Sequence, residues 1–214
     1  MRETNEFPEM EPTTEIGLQF ELGPQRIGHS LLPPRQRTRF KHKDRPLMLQ
    51  LGPNVFTVNI LPKYAGWDNM RKDVSAAWRK AKNVLNPERI SKIGLRYINR
   101  VNFSEDSETP GEWFKTCDFL PAAALRSRGA FLSRVESQID AKNHIIVTLA
   151  EGQSDDNEQK RGIIFDIDRI IRKDIPSENK VLLAELDHLH EDVWEIFNAV
   201  QTERLKKHLE GGEK

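Results

Sequence analysis

Residues 92–103 read Lys-Ile-Gly-Leu-Arg-Tyr-Ile-Asn-Arg-Val-Asn-Phe. Ile93, Leu95, Tyr97, Val101 and Phe103 fall on one side of an extended chain, and Lys92, Arg96, Arg100 and Asn102 on the other. A period of two with one apolar side is the mark of a strand that buries one face. This stretch sets the class of the fold, because its neighbours repeat the pattern. Downstream, residues 130–141, 144–150 and 162–171 read as three more strands. Lys142-Asn143 joins the first two as a hairpin, while the polar, acidic segment 151–160 separates the second from the third.

Between these strands, an acidic loop over 104–109 leads into Thr109-Pro110-Gly111-Glu112. This is a capping-box pattern with proline at the first helical position, and it predicts a short helix over about 113–119. Upstream, Met70, Val74, Ala77, Trp78, Ala81 and Leu85 recur at helical spacing after Gly66-Trp67. Asp68 is placed to cap that helix, and Asn86-Pro87 ends it. Before it, 47–51 and 55–61 are strand-like runs joined by Gly52-Pro53-Asn54. Ile16, Leu18, Phe20 and Leu22 alternate with polar residues and glycine as a first strand. The last helix is predicted over about 178–209, with Leu182, Leu186, Leu189, Val193, Ile196, Phe197 and Val200 as its apolar stripe. The order is α+β: a mainly antiparallel sheet, a central helix after the third strand and a long C-terminal helix packed on the sheet. Residues 1–14, with Glu3, Glu6, Glu9 and Glu11 against Arg2, read as a flexible acidic arm before a single domain over 15–210.

Composition narrows the function classes. Apolar residues make up 37% and charged residues 31%, polar for a globular chain. No run approaches the roughly 18 apolar residues of a membrane helix, and the acidic start lacks the apolar core of a secretory signal. The single Cys117 leaves no internal disulfide and fits a reducing, cytoplasmic location. Lysine plus arginine equals aspartate plus glutamate at 33 each, so no global field draws the chain to nucleic acid.

The sequence holds no phosphate-cradling glycine loop, nucleophile elbow or zinc-protease helix motif. His188 and His190 point about 200° apart on a helix and cannot share an ion, although His188 and Asp192 could. No metal or cofactor is expected. Arg35, Arg37, Arg39, Lys41, Lys43 and Arg45 occupy every second position. In an extended chain they form one cationic side at a spacing of about 6.6–6.8 Å, which suits nucleic acid or polyphosphate. The same residues would also guard an edge strand against unwanted pairing, and the acidic arm could fold back to neutralise them. Arg96 and Arg100 on one strand face, Arg134, Glu136, Gln138 and Asp140 on another, and Asp166 with Asp168 on a third could line one concave sheet. Cations would then hold phosphates while Glu136, Asp166 and Asp168 held a metal. That is the logic of a triphosphate-tunnel phosphohydrolase, but the first strand lacks the alternating Glu-x-Glu-x-Lys of such enzymes. Mixed charge on an outer sheet face explains the same residues. Whichever applies, alternation predicts Arg96 and Arg100 to be exposed or paired with carboxylates such as Asp166. Trp67, Trp78, Trp113 and Trp194 read as core anchors, with Tyr64 and Trp67 alternatively reaching a partner.

Four ordered segments carry a resemblance: Leu49-Gln50-Leu51-Gly52, Val58-Asn59, Tyr64-Ala65-Gly66-Trp67 and Gly94-Leu95-Arg96-Tyr97-Ile98-Asn99-Arg100. Over about 15–204 the chain resembles a sporadically distributed bacterial family of uncharacterised proteins. Its members carry a G-L-R-Y-I-N-R-like strand and a final helix with a His and a Phe, like His190 and Phe197. The resemblance brings no activity; patchy distribution implies an accessory or defence-linked setting. The sequence therefore leads to a non-enzymatic interaction module with a protein partner or a second copy of itself. A helix of about 30 residues outrunning its sheet would leave Val193, Phe197 and Val200, with Tyr64 and Trp67, as interface. Nucleic acid stands as the alternative partner, and a membrane is not expected.

Overall fold

The computed structural model of the chain describes residues 6–15, 18–23, 26–31, 33–105, 107–153 and 161–211. They cluster into two compact units, Met1–Asn86 and Pro87–Lys214, where the sequence alone suggests one domain over 15–210.

The first unit contains strands β1 (Glu9–Glu15), β2 (Leu18–Gly23), β3 (Arg26–Leu31), β4 (Arg35–Lys41), β5 (Leu47–Gly52) and β6 (Val55–Ile60), then helix α1 (Trp67–Leu85). β1, β4, β5 and β6 form an antiparallel sheet in the order β1-β4-β5-β6, and β2 pairs with β3. The helix follows the strand expected as the third, which is sixth in the described chain. Residues 9–14, read from sequence as part of a flexible arm, are instead paired with Glu15 along the basic strand, the fold-back arrangement that opposite charges favour. Ile16 lies outside the described residues. α1 packs on β6 through Trp78, whose ring lies 6.1 Å from that of Phe56. Its N-cap is Gly66, at a positive φ of 92° that suits glycine. Asp68 lies inside the first turn rather than at the cap, where its negative charge interacts favourably with the positive end of the helix dipole. Asn86, left-handed, closes the helix by donating its N–H to the Lys82 carbonyl at 2.8 Å.

The second unit runs β7 (Arg89–Ile90), β8 (Ile93–Asn102), α2 (Ala122–Leu125), β9 (Leu132–Gln138), β10 (Asn143–Gln153), β11 (Arg161–Ile171), β12 (Ile175–Pro176), α3 (Asn179–Val200) and α4 (Glu203–Gly211). Its main sheet is antiparallel in the order β8-β11-β10-β9. The alternation read from residues 92–103 holds: Ile93, Leu95, Val101 and Phe103 are buried, while Arg96 and Arg100 are exposed. α3 packs on β8 and β11 and closes a core that includes Val147, Leu149, Ile163, Phe165 and Ile167. The capping box forms, with the Thr109 N–H donating to Glu112 Oε1 at 2.9 Å. It opens only a 3-10 turn over Pro110–Glu112, not a helix over 113–119. The reason is that the Lys115 N–H is used elsewhere, on the Val200 carbonyl at the end of α3. The predicted last helix is two helices, broken at Gln201. Among the described residues, no helix is long and apolar enough to cross a membrane.

Candidate functional site

The ladders of the second unit bring the three charged strand faces onto one side of the sheet, opposite α3. Arg96 lies across from Asp168, Asp166 across from Ile98 and Thr148, and Arg134 across from Thr148. Arg96 grips Asp166 with two parallel bonds, Nε to Oδ1 at 2.8 Å and Nη2 to Oδ2 at 2.6 Å. The Arg96 side chain is 55% exposed and that of Asp166 only 11%, so the arginine shields its partner from water. The hydrogen bonds to Asp166 raise the Arg96 guanidinium against the opposing effect of burial. Burial pushes the Asp168 carboxyl up; Arg96, Lys92 and Arg134 oppose the rise and Asp166 adds to it.

Glu136 does not join these aspartates. It is reached from Asp168 only across Ile146 of β10, about 9.6 Å away at the usual strand spacing, and it bonds Arg134 Nη2 at 3.3 Å. Among the described residues, no group of three or more histidine, cysteine, aspartate or glutamate side chains is placed to hold a metal ion. Of the His188–Asp192 pair, Asp192 Oδ2 accepts from Arg169 Nε at 2.7 Å, and His188 Nδ1 lies 3.6 Å from Glu191 Oε2. The face is an ion-paired surface that can accept hydrogen bonds and present cations; it gathers no carboxylate triad.

The basic stretch is shorter than its sequence suggests. β4 ends at Lys41, so only Arg35, Arg37, Arg39 and Lys41 share its face. Lys43 turns toward Asp44 at 3.8 Å, and Arg45 pairs with Asp73 of α1. In the register of β1, Glu9 opposes Lys41, Glu11 opposes Arg39 and Glu15 opposes Arg35. Lys41 Nζ reaches Glu11 Oε1 at 3.0 Å, and Arg37 Nη1 donates to Gln50 Oε1 at 3.4 Å. Lys41 is thus answered by a carboxylate of β1, whereas Arg37 Nε and Arg39 Nε are buried without a hydrogen-bond acceptor among the described residues.

The interface residues expected on the last helix divide sharply. Val193 and Val200 are buried in the core of their own unit, a correction that follows from α3 ending at Val200 instead of outrunning the sheet. Phe197 is half-buried against that core. In the first unit Tyr64 is exposed and Trp67 half-buried. Trp78 and Trp113 are core anchors as expected, but Trp194 is 51% exposed. It lies one residue off the apolar stripe, about 100° around the helix from Val193, and that offset is the signal by which the sequence separates it from the core. The Trp194 ring sits between His190 at 6.4 Å and Phe197 at 6.1 Å, and Phe197 in turn stacks on buried Phe165 at 6.3 Å. Tyr97 Oη lies 3.4 Å from His190 Nδ1. An aromatic chain therefore runs from the core to the surface along one flank of α3.

No protein-family model, curated protein or solved structure matches this chain.

Proposed function

We propose that this protein is a non-enzymatic interaction module that engages a protein partner, or a second copy of itself, through the Trp194 flank of α3. The observation that carries this reading is the exposure of Trp194 at the end of an aromatic chain anchored on Phe165. A large apolar ring held in place from below loses little freedom on docking, and tryptophan is enriched among residues that dominate interfaces. The resemblance carried by residues 94–100 adds the setting: a cytoplasmic protein of a bacterial accessory or defence-linked system.

The test is tagged purification from the native host with nuclease present, run in parallel for the wild type and Trp194→Ala, with sedimentation of both. A stoichiometric partner or self-association should be present in the wild type and weaken at least about tenfold in the variant, at unchanged thermal stability. Undiminished association of the variant would reject the assignment. Binding to nucleic acid lost on Arg37→Glu with Lys41→Glu would point instead to a polyanion binder. Metal-dependent turnover abolished by Asp166→Ala would point to a phosphohydrolase.

A further inference from the structure

On the flank of α3 away from Trp194, the second unit has an open cleft of about 410 Å³. Phe119, Ile139, Ile145 and Ile196 give it an apolar lining, and Ile139 stands 58% exposed. Asp118, Asp192 and Glu195 supply its carboxylates, and Arg169 is the only cation among its lining residues. That guanidinium is already committed. Its Nε bonds Asp192 Oδ2 at 2.7 Å, its Nη1 bonds the His144 and Ile170 carbonyls at 3.2 and 3.0 Å, and its Nη2 bonds Asn143 Oδ1 at 3.0 Å. Arg169 therefore neutralises Asp192 and no other carboxylate of the cleft. Asp118 and Glu195 are exposed and carry no ion pair among the described residues.

We infer that this cleft docks a short segment of a protein partner in which an apolar side chain is flanked by lysine or arginine. The lining supplies the apolar half of the match: it removes a leucine- or phenylalanine-sized group from water. The two uncompensated carboxylates supply the other half, attracting flanking cations and repelling acidic segments. A volume of this size is in the range of small binding sites and admits side chains of an extended segment rather than a packed domain face. This inference stands apart from the Trp194 reading, since the two sites use different flanks of the helix.

Cys117 lines the same cleft, half-buried, and is the single cysteine of the chain, so it serves as a built-in reporter. The experiment measures alkylation of Cys117 by N-ethylmaleimide in the full-length protein. It is run alone, with a short peptide alternating lysine and leucine, with its glutamate–leucine counterpart, and with hexylamine. The lysine–leucine peptide should slow alkylation at least about fivefold, and the double substitution Asp118→Asn with Glu195→Gln should weaken that peptide about tenfold. The glutamate–leucine peptide should leave the rate unchanged. Equal protection by both peptides, protection insensitive to the double substitution, or a thiol unreactive in the free protein would each overturn the inference. Protection by hexylamine matching that by the peptide would overturn it in favour of a small amine ligand. Both substituted positions are exposed, and a matching thermal transition confirms that the variant folds.

Discussion

Glu108 is buried beside the loop that follows β8, yet its carboxylate is fully occupied. Oε1 accepts from the Ser104 N–H and hydroxyl and from the Glu105 N–H; Oε2 accepts from Trp113 Nε1 and Arg204 Nη2. Burial pushes this carboxyl up, but the bonds from Ser104, Trp113 and Glu105 and the charge of Arg204 outweigh it and hold it below the ordinary glutamate value. Glu108→Gln would place a donor against the donors on Oε2, and we expect a loss of about 2–3 kcal/mol at neutral pH, read by urea denaturation. Because the folded value is depressed, the stabilisation is complete above the ordinary value of 4.5. It is lost as the pH falls through the folded value. The gap between wild type and variant should therefore close on the acid side; a gap that widened there would contradict the assignment. Residue-scale features differ in how well they can be read in advance. The Arg96–Asp166 pair was legible, since alternation put both on the polar sides of strands. Arg169 was not, because contacts distant in sequence place it on the core side of its strand, and neither was Glu108, which lies in an acidic loop whose near neighbours Ser104, Glu105 and Trp113 enclose its carboxylate.

At the scale of elements, the break between α3 and α4 shows where local reading stops. Val200-Gln201-Thr202-Glu203 continues the helical spacing, and nothing nearby forbids a turn there. What ends α3 is the loop that meets it: the Val200 carbonyl accepts the Lys115 N–H, and Thr202 Oγ1 donates to the carbonyl of Glu112 or Trp113, each 2.9 Å away. The same oxygen accepts the Leu205 N–H at 3.2 Å, which makes Thr202 the cap of α4. Thr202→Val should cost about 1 kcal/mol, visible as a lower denaturation midpoint at unchanged slope; an unchanged midpoint would deny it the capping role. β1 is not legible in the sequence for a related reason. Its Glu-Met-Glu-Pro-Thr-Thr-Glu run has no apolar period, and its partner is a cationic strand 20 residues further on. By contrast, β8, β10, β11 and the α3 stripe each bury one face, and one buried face is what periodicity reports.

At the scale of the whole molecule, equal numbers of cations and anions set the isoelectric point near 7.0. Solubility in polyethylene glycol should pass through a minimum close to that pH. It should recover more steeply on the acid side, where six histidines add positive charge. A flat profile would mean that charge is distributed too unevenly for the net value to govern association. The fold class was readable because hairpin order and strand alternation are local. The candidate surfaces were readable only as sets of residues, because their grouping depends on register and helix ends. Arg169 shows what that register is worth. It is buried on the core side of β11, and two of its bonds go to Asn143 and the His144 carbonyl at the start of β10. Slide one strand of this hairpin along the other and the guanidinium meets neither, keeping Asp192 and the Ile170 carbonyl but leaving Nη2 without its acceptor on the core side of the sheet. The residue thus works as the tumbler of a lock: of all the alignments that two long strands can try while the chain collapses, one lets α3 close over the sheet.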